Sequence, residues 1–297
     1  AIKERCMIDV NCVDCFQKQA ERFFEKFNVP VARRQSLKDQ FNQFLQDEGV
    51  HYPSPYSAQF LNRLIREETG EKDLFEKEKK YYNQLLMDRY PALKEEVMNG
   101  GNPRQKALSY ALAGNIIDFG PPRQFDLEKT FREALSKKPA ADDSDLLFDA
   151  IDRANLVLYL GDNAGEIVTD KLFIETLQHP NLVFATRGGV VLNDITLEDA
   201  REVGMDQVAK IIDNGFDAPS TMPEFCSPEF REILEKADVI ISKGQGNFEG
   251  LYDFHRRNNV FFLFMVKCSE IARVTGHQEG DAIIMNGKRI EEKVMAD

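Results

Sequence analysis

Leu156-Val157-Leu158-Tyr159-Leu160-Gly161-Asp162-Asn163-Ala164-Gly165-Glu166 decides the fold of this chain. Its first five residues are apolar without alternation, as in a strand covered on both faces. Small and polar residues then break the run, and apolar positions at helical spacing resume from Glu166 to Leu177. Similar runs recur at Leu182 to Ala185, Val239 to Ile241 and Val260 to Val266, with helical stretches at Leu197 to Val203 and Pro228 to Lys236. Buried strands alternating with helices predict an α/β fold, a Rossmann-like, largely parallel sheet flanked by helices, over residues 151–297.

Towards the amino terminus the texture differs. Val13, Phe16, Ala20, Phe23 and Phe27 repeat at helical spacing, as do Leu37, Phe41, Phe44 and Leu45. Further stripes stand at Phe60, Leu61, Leu64 and Ile65, at Tyr82, Leu85 and Leu86, and at Ala107, Leu108, Ala111 and Leu112. Pro53, Pro55, Gly100-Gly101-Asn102-Pro103 and Gly120-Pro121-Pro122 punctuate them as loops. Residues 1–150 are thus expected to form an all-helical domain that contributes to the edge of the site, and 151–297 the α/β catalytic domain.

The 297 residues carry a formal net charge of −12, which repels nucleic acid and anionic lipid alike. An anionic substrate would need a bound cation or a local positive patch. No apolar run approaches the roughly 20 residues of a membrane helix. The opening Ala1-Ile2-Lys3-Glu4-Arg5 lacks the apolar core of a secretory signal, so a cytoplasmic location is expected. Oligomeric state is not legible.

Ligands of open α/β sheets bind beyond the carboxyl ends of the strands. Asp162 and Asn163 fall at such an end and are hard oxygen donors of the kind Mg²⁺ or Mn²⁺ accepts. Capping the following helix is the competing role. Asp194, after Val190-Val191-Leu192, is either a third oxygen ligand or the turn residue that starts the next helix. Lys243-Gly244-Gln245-Gly246-Asn247 reads as a loop able to cradle phosphate oxygens, although it is neither a Walker A loop nor a full dinucleotide fingerprint. Arg187, followed by two glycines, suits an oxyanion near the backbone; Lys267, closing the last long apolar run, points either to solvent or to the site.

Taken in order, these segments resemble the metal-dependent damage-control phosphatases, known as domain of unknown function 89. The resemblance rests on Gly161 to Glu166, Arg187-Gly188-Gly189 with Asn193-Asp194-Ile195-Thr196, and Asp213-Asn214-Gly215 with Asp217-Ala218-Pro219. It extends through Lys243 to Glu249 and Val266-Lys267-Cys268, and back to Ala113-Gly114-Asn115-Ile116-Ile117-Asp118-Phe119-Gly120, so it spans nearly the whole chain. Cys12-Val13-Asp14-Cys15 and the compact length resemble the archaeal and bacterial branch. The resemblance implies a divalent cation (Mn²⁺, Ni²⁺, Co²⁺ or Mg²⁺) on Asp162, Asn163 and Asp194. It implies Lys243 and Lys267 beside the transferred phosphate, and Asn115 and Asp118 reaching in from the helical part. Glu166, Arg187, Gly188 and Asn247, within the matching motifs, are expected among the substrate contacts. The implied partner is a small phosphorylated metabolite such as a sugar phosphate, and Asp162 is nucleophile, base or ligand.

Two other classes compete: an S-adenosylmethionine-dependent carboxyl methyltransferase, which would favour glycines where Asp162 and Asn163 stand, and a sugar-phosphate-binding protein without catalysis. Cys6, Cys12 and Cys15 suit a second, structural Zn²⁺ site or redox chemistry if a further ligand joins them, and ordinary packing otherwise. The charged stretch Glu71 to Lys80 is expected as a solvated helix face.

Overall fold

The computed structural model describes residues 10–116, 126–257 and 259–290. It opens with α1 (Val10–Lys26), α2 (Val31–Asp47) and α3 (Ser54–Thr69), whose apolar stripes meet in a core of their own around Phe16, Phe24, Phe41, Leu61 and Ile65. α3 ends where Gly70 takes a left-handed φ of 72°. Next come α4 (Glu76–Met98), α5 (Pro103–Ile116) and α6 (Leu127–Ser136), the last capped by Asp126, which accepts from the Lys129 amide.

The remainder alternates: β1 (Ala141–Asp142), α7 (Ser144–Arg153), β2 (Val157–Leu160), α8 (Glu166–Leu177), β3 (Leu182–Thr186), α9 (Leu197–Glu202) and β4 (Lys210–Asp213). Then follow α10 (Pro228–Lys236), β5 (Val239–Lys243), α11 (Gln245–Gly250), β6 (Val260–Met265), α12 (Ser269–Thr275) and β7 (Ala282–Asn286). The strands form one sheet in the order β1-β7-β6-β5-β2-β3-β4, parallel except where β7 meets β6. Among the described residues no helix is long and apolar enough to cross a membrane.

Successive side chains of a strand face opposite ways, and here both faces are dry. Val157 and Tyr159 of β2, with Val239 and Ile241 of β5, enter a core shared with Leu86, Leu108, Ala111, Leu147 and Phe173 from α4, α5, α7 and α8. Leu158, Leu160 and Ile240 enter the opposite core, with Phe230, Phe248 and Ile271. α5 and α8 approach closely because a side chain at Gly114 would overlap Thr169.

The all-helical reading of residues 1–150 is therefore corrected by β1, which pairs with β7 at Ala141↔Ile283. Residue 150 lies inside α7, and α4 to α7 share the core of the sheet, whereas α1 to α3 do not.

Candidate active site

The order of the sheet reverses at β2, which has β3 on one side and β5 on the other, both parallel to it. Connections leave in opposite directions there, opening a crevice at the strand ends. The turn after β2 and the loop before α9 meet in it. Asn163 and Asp194 form an antiparallel bridge, Ala164 N–H donates to Asn193 O at 3.0 Å, and Ile195 N–H donates to Asp162 O at 3.0 Å. Asp162, Asn163 and Asp194 consequently share one cavity of about 560 Å³, whose outer wall comes from α1 and α3 through Cys15, Phe16, Ser54 and Pro55.

Beneath it lies a floor of buried charge. Arg187, 2% exposed, donates from Nε to Asp194 at 2.6 Å, from Nη2 to Asp162 at 3.2 Å and from Nη1 to Asn247 Oδ1 at 2.8 Å. Asn115 Nδ2 bridges Asp162 Oδ2 (3.1 Å) and Glu166 Oε1 (3.0 Å). Lys243, wholly buried, donates to Glu166 at 2.7 Å, Asp170 at 2.5 Å and the Ala111 carbonyl at 2.9 Å. Tyr159 Oη donates to Asp170 at 2.6 Å.

Four carboxylates, Asp162, Glu166, Asp170 and Asp194, share this floor with two cations, Arg187 and Lys243. Fully ionised, they exceed their compensation by two charges. Burial, then the neighbouring Asp194 and Glu166 charges, push the Asp162 carboxyl up to about 8 against Arg187 and Lys267. Burial also raises Asp194, opposed by Arg187. Burial takes Asp170 to about 7 despite Lys243. For Lys243, burial disfavours the charge, but Asp170 and Glu166 outweigh it and lift the amine to about 12. The floor holds its lysine charged and leaves its carboxylates short of positive charge.

That deficit is a test of fit for a divalent cation. Asp162, Asn163 and Asp194 line the cavity, and both hydrogen bonds of the Asn163 side chain are made by Nδ2, to Asp162 Oδ2 and Glu166 Oε2. Gly244, at φ 82°, leaves room for the Asp162 carboxylate that any side chain would overlap. Two carboxylates and an amide suit Mg²⁺ or Mn²⁺ rather than a soft metal. Among the described residues no three His, Cys, Asp or Glu side chains converge as a metal cluster, so the amide of Asn163 is integral to any such set.

Several expected contacts lie elsewhere. Lys243 is no part of a phosphate cradle: it ends β5, and the strand alternation that sends Val239 and Ile241 into the α5–α8 core sends Lys243 there too. Gln245 to Asn247 begin α11 rather than a loop, and Asn247, wholly buried, binds Arg187 and the Gly161 and Lys243 carbonyls. Arg187 and Glu166 are buried and hydrogen-bonded to Asp194 and Asn163 respectively. The Gly188 N–H is taken by Phe216 O and Asn214 Oδ1, and a side chain at Gly188 would overlap the Gly215–Phe216 backbone. Asn115 does reach in from α5, but to the carboxylates. Lys267, exposed on the cavity wall, is held through its amide by Gln245 Oε1 at 2.8 Å. Asp118 and Cys6 lie outside the described residues. Cys12, Cys15 and Cys268 line the same cavity, and Cys15 and Cys268 carry free thiols.

Sequence reasoning missed Glu249, 7% exposed, which accepts from Ser54 Oγ and Gln245 Nε2 and joins α3 to the cavity wall. It also missed Asp170 and Tyr159, which sit one helical turn beyond Glu166 and mid-strand in β2, spacings that could have linked them to the strand-end turn. Lys79, expected in a solvated stretch, is 4% exposed and paired with Asp73 and Asp199 at 2.9 Å each.

The damage-control phosphatase ARMT1-like domain matches residues 8–283. An uncharacterized protein of Methanocaldococcus jannaschii is 28% identical over 297 residues, 96% of this chain and 95% of that one. A damage-control phosphatase of Pyrococcus horikoshii is 36% identical over 188 residues, 61% of this chain and 64% of the relative. Another, of Archaeoglobus fulgidus, is 30% identical over 230 residues, 75% and 79% of the two chains. The crystal structure of a DUF89 family protein from P. horikoshii superposes with a TM-score of 0.86 at 27% identity, covering 95% of this chain and 99% of that one.

Proposed function

This chain belongs to the damage-control phosphatase ARMT1-like family, and we propose that it is a divalent-metal-dependent phosphatase acting on small phosphate monoesters such as sugar phosphates. One observation carries the reading: the Asn163–Asp194 bridge gathers the oxygen donors Asp162, Asn163 and Asp194 on one wall of a cavity that Lys267 also lines. A phosphoryl group seated there meets positive charge from both sides, which its transition state requires.

Asp162, Asn163 and Asp194 would hold the cation, which supplies Lewis-acid polarisation of the phosphoryl oxygens. Lys267 draws the phosphate in and compensates a second oxygen. Arg187 keeps Asp162 and Asp194 in place, and Asn115 orients the Asp162 carboxylate from behind. Asp162 either attacks phosphorus, displacing the alcohol and leaving an aspartyl-phosphate for water to cleave, or accepts the proton of an attacking water. Borohydride reduction of protein quenched during turnover separates the two: conversion of Asp162 to homoserine marks the aspartyl-phosphate left by carboxylate attack, and its absence favours attack by water.

The decisive experiment is release of inorganic phosphate from a panel of sugar phosphates with Mn²⁺, Ni²⁺, Co²⁺ or Mg²⁺. Metal-dependent release that disappears in Asp162→Ala is the expected result. Release that survives chelation sinks the metal reading, and saturable binding without release would make the protein a carrier.

A further inference from the structure

We infer that Lys79 and Asn83, one turn apart on α4, are positioning residues that clamp together the two loops bearing Asp162, Asn163 and Asp194. The inference rests on the metal site proposed above. Residues four apart on a helix share a face. Here Lys79 and Asn83 meet the two loops; further along, Leu86 and Val97 of the same helix are buried in the apolar core.

Asn83, 4% exposed, accepts the Gly165 N–H through Oδ1 at 2.7 Å. Gly165 stands at the N-cap of α8 with φ 77°, immediately after Asp162, Asn163 and Ala164. Its amide is among those a helix start leaves unpaired, so Asn83 fixes the turn where the helix alone does not. Lys79 Nζ reaches Asp199 Oδ2 at 2.9 Å, and the same oxygen accepts from the Thr196 N–H and Oγ1 at 2.8 Å each. Thr196 and Asp199 form the capping box of α9, two residues after Asp194. One helix thus holds the downstream flank of both loops, while the Asn163–Asp194 bridge joins their tips.

Packing does not explain these residue types. Burying an amide and an ammonium costs more than burying Leu or Met of similar size, and Asn83 Nδ2 has no hydrogen-bond partner among the described residues. An orphan donor beside a metal-bearing turn is tolerated where the partnered oxygen of the same amide sets the geometry of that turn.

The test compares Asn83→Leu with Leu86→Ala, an apolar truncation on the same helix that removes no hydrogen bond to either loop. Mn²⁺ affinity is read by titration calorimetry and thermal stability by melting. Asn83→Leu should weaken Mn²⁺ binding roughly 10- to 100-fold with little change in melting temperature, and Asn83→Asp, which keeps the acceptor, should recover most of the affinity. Leu86→Ala should lower the melting temperature and keep the affinity. Wild-type affinity in Asn83→Leu, or an equal loss in Leu86→Ala, overturns the clamp. Amide hydrogen exchange on metal-free protein separates the clamp from the metal reading. Faster exchange over 161–166 in Asn83→Leu alone supports the clamp even if wild type binds no Mn²⁺, an outcome that would sink only the metal site; unchanged exchange with wild type failing to bind overturns both.

Discussion

Lys243 and Lys267 stand at the ends of neighbouring strands, yet they belong to opposite regimes. The floor around Lys243 is sealed, and its ammonium is spent on Glu166 and Asp170. The rim around Lys267 is open, and its charge is available to whatever enters the cavity. The difference teaches that a lysine at a strand end is assigned its work by parity: residue 243 follows the inward phase of β5, whereas residue 267 lies two positions past the end of β6 and escapes the alternation.

The largest expected effect belongs to the carboxylate where floor and rim meet. Asp162→Ala should cut kcat by roughly 10³-fold or more while the protein keeps its melting temperature, because burial and the neighbouring carboxylates already disfavour the charged form of this carboxyl. Steady-state rates and calorimetry on one preparation check both halves.

Lys243→Met should act mainly on stability. It leaves Glu166 and Asp170 unpaired in the interior, which costs about 3–5 kcal/mol, read as an earlier urea midpoint. Lys267→Met should do the reverse, lowering kcat/KM by roughly 10- to 100-fold, about the worth of a transition-state charge contact of 1.4–2.7 kcal/mol, with an unchanged urea midpoint. If both variants lose stability alike, the division between floor and rim fails.

The smallest effect concerns how α3 is tied to the rim. Asp217 accepts from Arg63 and Gln59. Burial alone would raise its carboxyl, but the Arg63 hydrogen bond and charge outweigh burial and hold it below the ordinary 3.8. A depressed folded value stabilises above the unfolded one and is lost as pH falls through it. Asp217→Asn should therefore cost under about 1 kcal/mol at neutral pH, since Arg63 is half exposed. That difference should shrink towards zero as pH drops below 3.8; a constant gap would show that the charge is not what matters.

The central strands were legible because both faces are buried: β2, β3 and β5 are dry at every position. β4 was not, being a half-exposed edge strand that reads Lys-Ile-Ile-Asp. β1 spans Ala141–Asp142 alone and becomes a strand only through its partner, which no local pattern announces. In the site, Asp162, Asn163 and Asp194 were each visible as polar residues after apolar runs, and family order linked them. The partners of Lys243 and Lys79 were hidden because a charge pair in the interior leaves the same letters in a sequence as one in solvent.

The pairing of β1 with β7 also sets an order of events. Residues 141 and 283 lie side by side, so β1 has no partner until β7 has been made. At about 5–20 residues per second, translation would leave β1 waiting on the order of ten seconds while β2 and β3 can already pair. The Asp143 carboxylate, which accepts the Asn286 N–H at 2.8 Å, then fastens the late strand to the early one. Completion of this sheet edge is a late event in the birth of the molecule, after the segments that carry Asp162 and Asp194 have been made.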